Sequence, residues 1–130
     1  MTTILLVEDE ELNRALVKAV LARADVAAVR EAEVLDASSL AKARERLGSE
    51  DIDLILLDMN LPDGNGLSLA RELADAATPA GRRKPAVVAV TASVLPQDRA
   101  AAIEAGCDGF LDKPYAAADL VATVARHLPA

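Results

Sequence analysis

Short apolar runs recur along this chain at helix-length intervals, and four of them stop on a side chain able to ligate a cation or carry reactive charge. Leu5-Leu6-Val7 ends on Glu8-Asp9, Ile55-Leu56-Leu57 on Asp58, Val87-Val88-Ala89-Val90 on Thr91, and Phe110-Leu111-Asp112 on Lys113. A run without polar alternation is buried on both faces, the condition of a strand in a parallel sheet covered by helices. Such sheets collect functional groups at the carboxyl edge of their strands. The sequence therefore predicts three acids, a hydroxyl and an amine in one cleft.

The intervening segments carry helical spacing. A strand over 3–7 leads into a helix over 11–24, in which Leu12, Leu16, Ala19 and Val20 recur on one side. A short second strand is expected at 32–35, then a helix capped by Ser38 or Ser39 and ending at Gly48. The third strand is expected at 52–57. Turn formers follow in Leu61-Pro62-Asp63-Gly64-Asn65-Gly66, then a helix carrying Leu67, Leu69, Ala70 and Leu73. A fourth strand at 86–90 precedes a helix opened by Pro96 and closed by Gly106, and a fifth strand at 109–112 precedes a helix at 115–128. Five strands alternating with five helices imply an α/β fold: a doubly wound five-stranded parallel sheet with right-handed crossovers, flavodoxin-like (βα)5. A single domain over residues 1–130 with no output domain is expected.

Composition narrows the function. Hydrophobic residues make up 52% of the 130 positions but aromatics only 2%, so the core is aliphatic and base stacking has no platform. A net charge of −7 opposes direct nucleic acid binding, which needs clustered cations. The basic run Arg82-Arg83-Lys84 stands among Pro79, Gly81 and Pro85 and reads as a solvated loop. Cys107 and His127 are each the sole residue of their kind, so neither an internal disulfide nor a Cys/His metal or catalytic pair is expected. Met1-Thr2-Thr3 is too short and uncharged for a signal peptide, and no apolar run approaches about 18 residues. A cytoplasmic protein without membrane contact is the expectation.

The acids constrain the chemistry. At 4 to 5 Å, each ionised pair among Glu8, Asp9 and Asp58 repels by about 4 kcal/mol at an effective dielectric near 20, so three pairs cost on the order of 12 kcal/mol. Protonation of one acid or a hard divalent cation with oxygen ligands relieves this, and Mg²⁺ fits because it keeps waters that a phosphate can replace. Asn60 adds a backbone carbonyl within reach. An ammonium at Lys113 and a hydroxyl at Thr91 can neutralise and orient the oxygens of a transferred phosphoryl group. Asp58 then serves as nucleophile, and a carboxylate needs no general base, in keeping with a cleft lacking histidine.

These motifs together resemble the receiver domains of two-component response regulators over the whole chain. The matching features are Glu8-Asp9, Asp58-Met59-Asn60-Leu61-Pro62 with Gly66, Val90-Thr91-Ala92 and Lys113-Pro114. The resemblance implies that Asp58 is the phosphoacceptor, modified to an aspartyl phosphate. It implies Mg²⁺ held by Asp9, Asp58 and the Asn60 carbonyl, with Glu8 acting through metal-bound water. It gives Thr91 and Lys113 the phosphoryl oxygens, Phe110 the position of the switch aromatic that moves with Thr91, and Lys113-Pro114 a cis bond. The donor it implies is a histidine kinase or histidine phosphotransfer protein, and the reader a protein that binds the face of the fourth helix, fifth strand and last helix. Self-catalysed transfer and hydrolysis serve signalling rather than turnover of an external substrate. Ser93 is a candidate for tuning phosphoryl lifetime, and Tyr115 for packing at the start of the last helix. The opening Glu8-Asp9-Glu10-Glu11-Leu12-Asn13 is closer to stand-alone and hybrid-kinase receivers than to those of transcription factors. The chain departs from the family pattern in a longer Asp9-to-Asp58 segment and in a flexible loop at Gly64 and Asn65.

Three other readings fit less well. A haloacid-dehalogenase-type phosphatase needs a second Asp two residues past the nucleophile, where Asn60 stands. An FMN-binding flavodoxin needs a Ser/Thr/Gly-rich loop after the first strand, where Glu8-Asp9-Glu10-Glu11 would repel phosphate. A degenerate interaction module or phosphate sink would not require the full set of acids, Thr91 and Lys113.

Overall fold

The computed structural model describes residues 2–75, 84–92 and 95–128. β1 (Thr3–Val7) and β3 (Leu54–Asp58) are buried at every position. α1 (Glu11–Ala22), α2 (Ala27–Arg30) and β2 (Glu33–Ala37) follow β1, and α3 (Leu40–Ser49) leads to β3. β4 (Asn60–Leu61) and β5 (Gly64–Asn65) form a small antiparallel ladder before α4 (Gly66–Asp75). β6 (Ala86–Thr91), α5 (Pro96–Glu104), β7 (Gly109–Asp112) and α6 (Ala117–His127) complete the chain. The main sheet has the order β2-β1-β3-β6-β7 and is parallel throughout.

That order is the predicted doubly wound sheet, and it fixes where a site can form. The chain moves outward from β1 to β2, then crosses back to place β3 on the other side of β1. The reversal opens a crevice at the carboxyl ends of β1 and β3. Val7 pairs with Leu57 in register, so the next residues, Glu8 and Asp58, emerge side by side.

Strand alternation divides the core in two. Leu5, Val7, Ile55, Leu57, Val87 and Ala89 pack with Leu40 and Leu69 under α3, α4 and α5. Ile4, Leu6, Leu54, Leu56, Val88, Val90 and Leu111 pack with Val17, Leu21, Leu120 and Val124 under α1 and α6. Fully burying such side chains contributes about 1.5–3 kcal/mol each, which explains why an aliphatic core suffices without aromatic rings.

Acids at the opposite, amino edge of the sheet do structural work. Asp53 Oδ2 accepts from the Thr3 backbone N–H at 2.8 Å, and Asp108 Oδ2 from that of Val87 at 2.8 Å. Each supplies the first ladder bond that a neighbouring strand start would otherwise lack.

Several expectations need correction. Six helices occur among the described residues rather than five; α2 is a single turn in the segment that carries the weakest periodicity. β2 lies two residues beyond the expected end because it is an edge strand in which only Ala37 is buried. An apolar pattern is weak where one side faces water. α1 stops at Ala22, β3 starts at Leu54, and α6 spans Ala117–His127, each shorter than the periodicity suggested. α3 runs through Gly48 to Ser49, with Ser39 as its cap: Ser39 Oγ accepts from Lys42 N at 3.2 Å. The loop after β3 is tied down. Leu61 pairs with Gly64, whose φ of 146° favours glycine. Asp63 reaches across to accept from the backbone N–H groups of Leu40 and Ala41 at 2.9 and 3.1 Å, anchoring the loop to the start of α3. Lys113-Pro114 is cis, as expected. Arg82, Arg83 and Ser93 lie outside the described residues.

Two glycines should respond oppositely to alanine. A Cβ on Gly66 would lie 2.4 Å from the Asp58 carbonyl oxygen, whereas one on Gly48 meets nothing within 4 Å. Chemical denaturation should show Gly66→Ala losing about 1–3 kcal/mol and Gly48→Ala gaining about 0.5–1 kcal/mol. Equal effects at the two positions would contradict the close packing of α4 on the Asp58 loop.

Candidate functional site

Three strand ends converge at the crevice. Glu8 and Asp58 are each 5% exposed, and Asp9 is exposed. One carboxylate oxygen from each of the three lies within 4.8 Å of the others. The two buried carboxylates are held alike. Glu8 Oε1 accepts from the Glu10 backbone N–H at 3.1 Å, and Asp58 Oδ1 from that of Asn60 at 3.1 Å. Their second oxygens face Lys113, whose Nζ is 3.2 Å from Asp58 Oδ2 and 3.6 Å from Glu8 Oε2. Lys113 is itself placed by its backbone N–H, which donates to the Thr91 carbonyl at 2.8 Å.

The electrostatics follow from burial. At 4.8 Å two carboxylates repel by about 3.5 kcal/mol at an effective dielectric near 20. Attraction to Lys113 at 3.2 and 3.6 Å is about 5 kcal/mol per contact on the same scale, so one ammonium outweighs the repulsion of the buried pair. Burial, with Asp58 alongside, pushes the Glu8 carboxyl above its ordinary value despite the Glu10 N–H and Lys113. Burial pulls the Lys113 ammonium down, but the summed pull of Asp58 and Glu8 wins and raises it. Lys113 stays charged.

The donor set suits a hard cation. Three carboxylate oxygens without nitrogen or sulfur match the preference of Mg²⁺ and Ca²⁺, and the remaining negative charge after Lys113 favours a divalent ion. Asp9, Asp58 and Glu8 are the side chains positioned to hold it.

Thr91 and Phe110 occupy the other side of the sheet. By alternation Glu8, Asp58 and Lys113 continue the α1/α6 face, whereas Thr91 continues Val87 and Ala89 on the α3/α4/α5 face. Thr91 and half-buried Phe110 line a cavity of about 200 Å³ together with Met59, Asn60 and Arg99. The Arg99 guanidinium sits 5.5 Å from the Phe110 ring centroid and donates to Asp112 at 2.6 Å, spanning α5 and β7. Tyr115 lies half-buried beside Glu8 in a neighbouring groove, and burial raises its phenol above the ordinary value. Cys107 is buried, with its thiol pushed up to about 11 chiefly by burial, so it is no nucleophile.

The structure brings Glu8, Asp9, Asp58 and Lys113 together at this edge and leaves Thr91 and Phe110 on the opposite face, where they share a cavity with Asn60; two supporting residues were missed. Arg14 Nη1 donates to the carbonyls of Glu8 and Asp9 at 2.8 and 3.0 Å, holding the acidic loop. Arg99 packs against Phe110 and pairs with Asp112. Neither has a sequence signal that separates it from a solvated helix arginine.

Known proteins share this arrangement. Residues 4–125 match the family described as "Response regulator receiver domain". The KDP operon transcriptional regulatory protein KdpE of Escherichia coli is 36% identical over 123 residues, which are 94% of this chain and 49% of that protein. The sensory/regulatory protein RpfC of Xanthomonas campestris is 34% identical over 121 residues, 93% of this chain and 16% of that protein. The receiver domain of the TMAO respiratory system response regulator TorR superposes with a TM-score of 0.80 at 32% identity, covering 97% and 95% of the two chains. Vibrio cholerae CheY4 shares the fold, with a TM-score of 0.82 at 22% identity over 98% and 99%. This chain spans about half the length of KdpE or less of its curated relatives, which include transcriptional and sensory proteins at nearly equal identity. The acidic opening therefore does not separate those subclasses. Among the described residues no helix is long and apolar enough to cross a membrane.

Glu8 generates a pH-dependent prediction. Its raised value means that the fold favours the neutral form; that preference is complete below the ordinary carboxylate range and is lost as pH rises through the raised value. In chelator, Glu8→Gln should therefore melt higher than the parent near pH 7, with the gap closing toward about pH 4, while added Mg²⁺ should stabilise the parent more than the variant. A variant that melts lower in chelator at neutral pH would contradict this.

Proposed function

This chain belongs to the response regulator receiver family, and from that premise we propose that it accepts a phosphoryl group on Asp58 from a phosphohistidine of a histidine kinase or phosphotransfer protein. The observation that carries the reading is the Lys113 ammonium 3.2 Å from Asp58 Oδ2, flanked by Glu8 and Asp9. Asp58 Oδ1 accepts from the Asn60 N–H and Oδ2 from Lys113, and in this scheme Oδ2, the oxygen beside the ammonium, attacks. Its lone pair forms the P–O bond as the P–N bond to the donor imidazole breaks, and the imidazole nitrogen keeps the bonding pair. Lys113 then exchanges carboxylate for phosphoryl oxygen, and the Thr91 hydroxyl donates to another. Asp9, Asp58, Glu8 and the Asn60 carbonyl would hold Mg²⁺, which when bound would supply neutralising charge for the phosphoryl oxygens. Attack of water on phosphorus breaks the bond to Asp58 and resets the protein.

The surroundings favour protein partners over a small substrate. An apolar groove lined by Leu16, Val20, Pro114 and Tyr115 runs beside Glu8 and Lys113, with Leu16 55% and Leu12 70% exposed. A donor protein seated there brings its histidine to Asp58. Turning Thr91 toward the phosphoryl group changes the cavity it shares with Phe110, so the signal is read on the face of α5, β7 and α6. A role in phosphorelay or signalling, acting through contact or onward transfer in the cytoplasm, fits this scheme. Receiver domains are phosphoacceptor modules rather than enzymes on external substrates, and Asn60 supplies no acid for phosphatase turnover.

Incubation with acetyl phosphate and Mg²⁺ should add one acid-stable, base-labile phosphoryl group by mass spectrometry, absent in Asp58→Asn. Retention of the modification in that variant, or loss of its Mg²⁺ dependence in the parent, would overturn the assignment.

A further inference from the structure

A second cavity opens on the far side of β1 from Lys113, over the carboxyl end of β2. It measures about 450 Å³ and is lined by Arg14, Asp36, Ser38, Lys42, Glu45 and Arg46, among others. Its charge is opposite to that of the chain as a whole. Of 14 Lys and Arg residues against 21 Asp and Glu, four basic side chains converge here, counting Lys18 behind Asp36.

Asp36 already has its partners. Lys18 Nζ lies 2.6 Å and Arg14 Nε 3.6 Å from its Oδ2, and these contacts, Lys18 first, hold its carboxyl below the ordinary value. Arg46 uses Nε on the Asp36 carbonyl at 3.3 Å, and among the described residues its two terminal nitrogens have no hydrogen-bond acceptor. Neither the Lys42 ammonium nor the Ser38 hydroxyl has a hydrogen bond or ion pair among the described residues. The cavity wall thus presents a guanidinium fork, an ammonium and a hydroxyl, with Glu45 the one unpaired acid on its rim.

We infer that this cavity is an anion site for a compact phosphate ester. Planar guanidinium and a neighbouring ammonium match phosphate oxygens in geometry and charge. The volume falls in the range of small-molecule sites, while the absence of aromatic walls disfavours a nucleobase. Arg14 joins the site to the acid cluster: its Nε faces Asp36 while its Nη1 holds the Glu8 and Asp9 carbonyls. An anion drawing on Arg14 pulls on the loop that carries two of the three acids. The inference stands on the cavity alone and does not depend on phosphorylation of Asp58.

The test is a titration of the ¹⁵N-labelled full chain, in Mg²⁺-free buffer at constant ionic strength, with inorganic pyrophosphate and separately with citrate. Pyrophosphate should give saturable amide shifts at Ser38, Ser39, Lys42 and Arg46, extending to Glu8 and Asp9, with a dissociation constant below about 1 mM. Lys42→Glu alters an exposed side chain without a partner, so the fold should persist; it should weaken binding by about tenfold or more. Shifts that do not saturate, that centre on Lys113, or that survive Lys42→Glu would overturn the site. Citrate binding as tightly as pyrophosphate would overturn the phosphate-ester class.

Discussion

Two carboxylates buried side by side set the terms for this molecule. Glu8 and Asp58 emerge as neighbours because β1 and β3 are adjacent and in register, and a parallel sheet with a reversal of strand order leaves no alternative position for them. The cost of that juxtaposition is contained by Lys113, delivered from the far strand β7 through a backbone bond to Thr91. One ammonium is enough to keep the fold stable and too little to neutralise three acids. The remaining negative charge suits a divalent cation, and the same crowding of carboxylates, with burial, raises Glu8.

The sheet then divides the candidate site between its two faces. Strand alternation sends Glu8, Asp58 and Lys113 to the α1/α6 side and Thr91 and Phe110 to the α3/α4/α5 side. Thr91 is joined to Lys113 through its carbonyl, so the two sides meet at one peptide. A change at Asp58 can reach the opposite face across the thickness of a single sheet. Arg99, beside the Phe110 ring and paired to Asp112, ties α5 to β7 on that face.

The acid-bearing strand ends, the aliphatic two-sided core and the order of elements were legible because burial on both faces removes polar residues from strands, leaving a plain signal. β2 was misplaced for the converse reason: an edge strand with only Ala37 buried has little pattern to read. The turn-rich stretch after Asp58 looked flexible by composition, yet Asp63 anchors it to α3 from 23 residues away in sequence, and Gly66 packs against the Asp58 carbonyl. Bonds of that span leave no local trace.

The sequence by itself determined the sheet, the residues at its carboxyl edge and the cation chemistry they call for, since apolar periodicity and side-chain type are local properties. Only the tertiary structure decided which acids matter. Asp53 and Asp108 stand beside apolar runs just as Asp58 does, but at the amino edge, where they complete strand ladders. It also decided that Arg14 and Arg99 are braces and that three dispersed basic residues, Arg14, Lys42 and Arg46, line one cavity. Those roles come from distances between residues far apart in the chain, and such distances exist only once the sheet is wound.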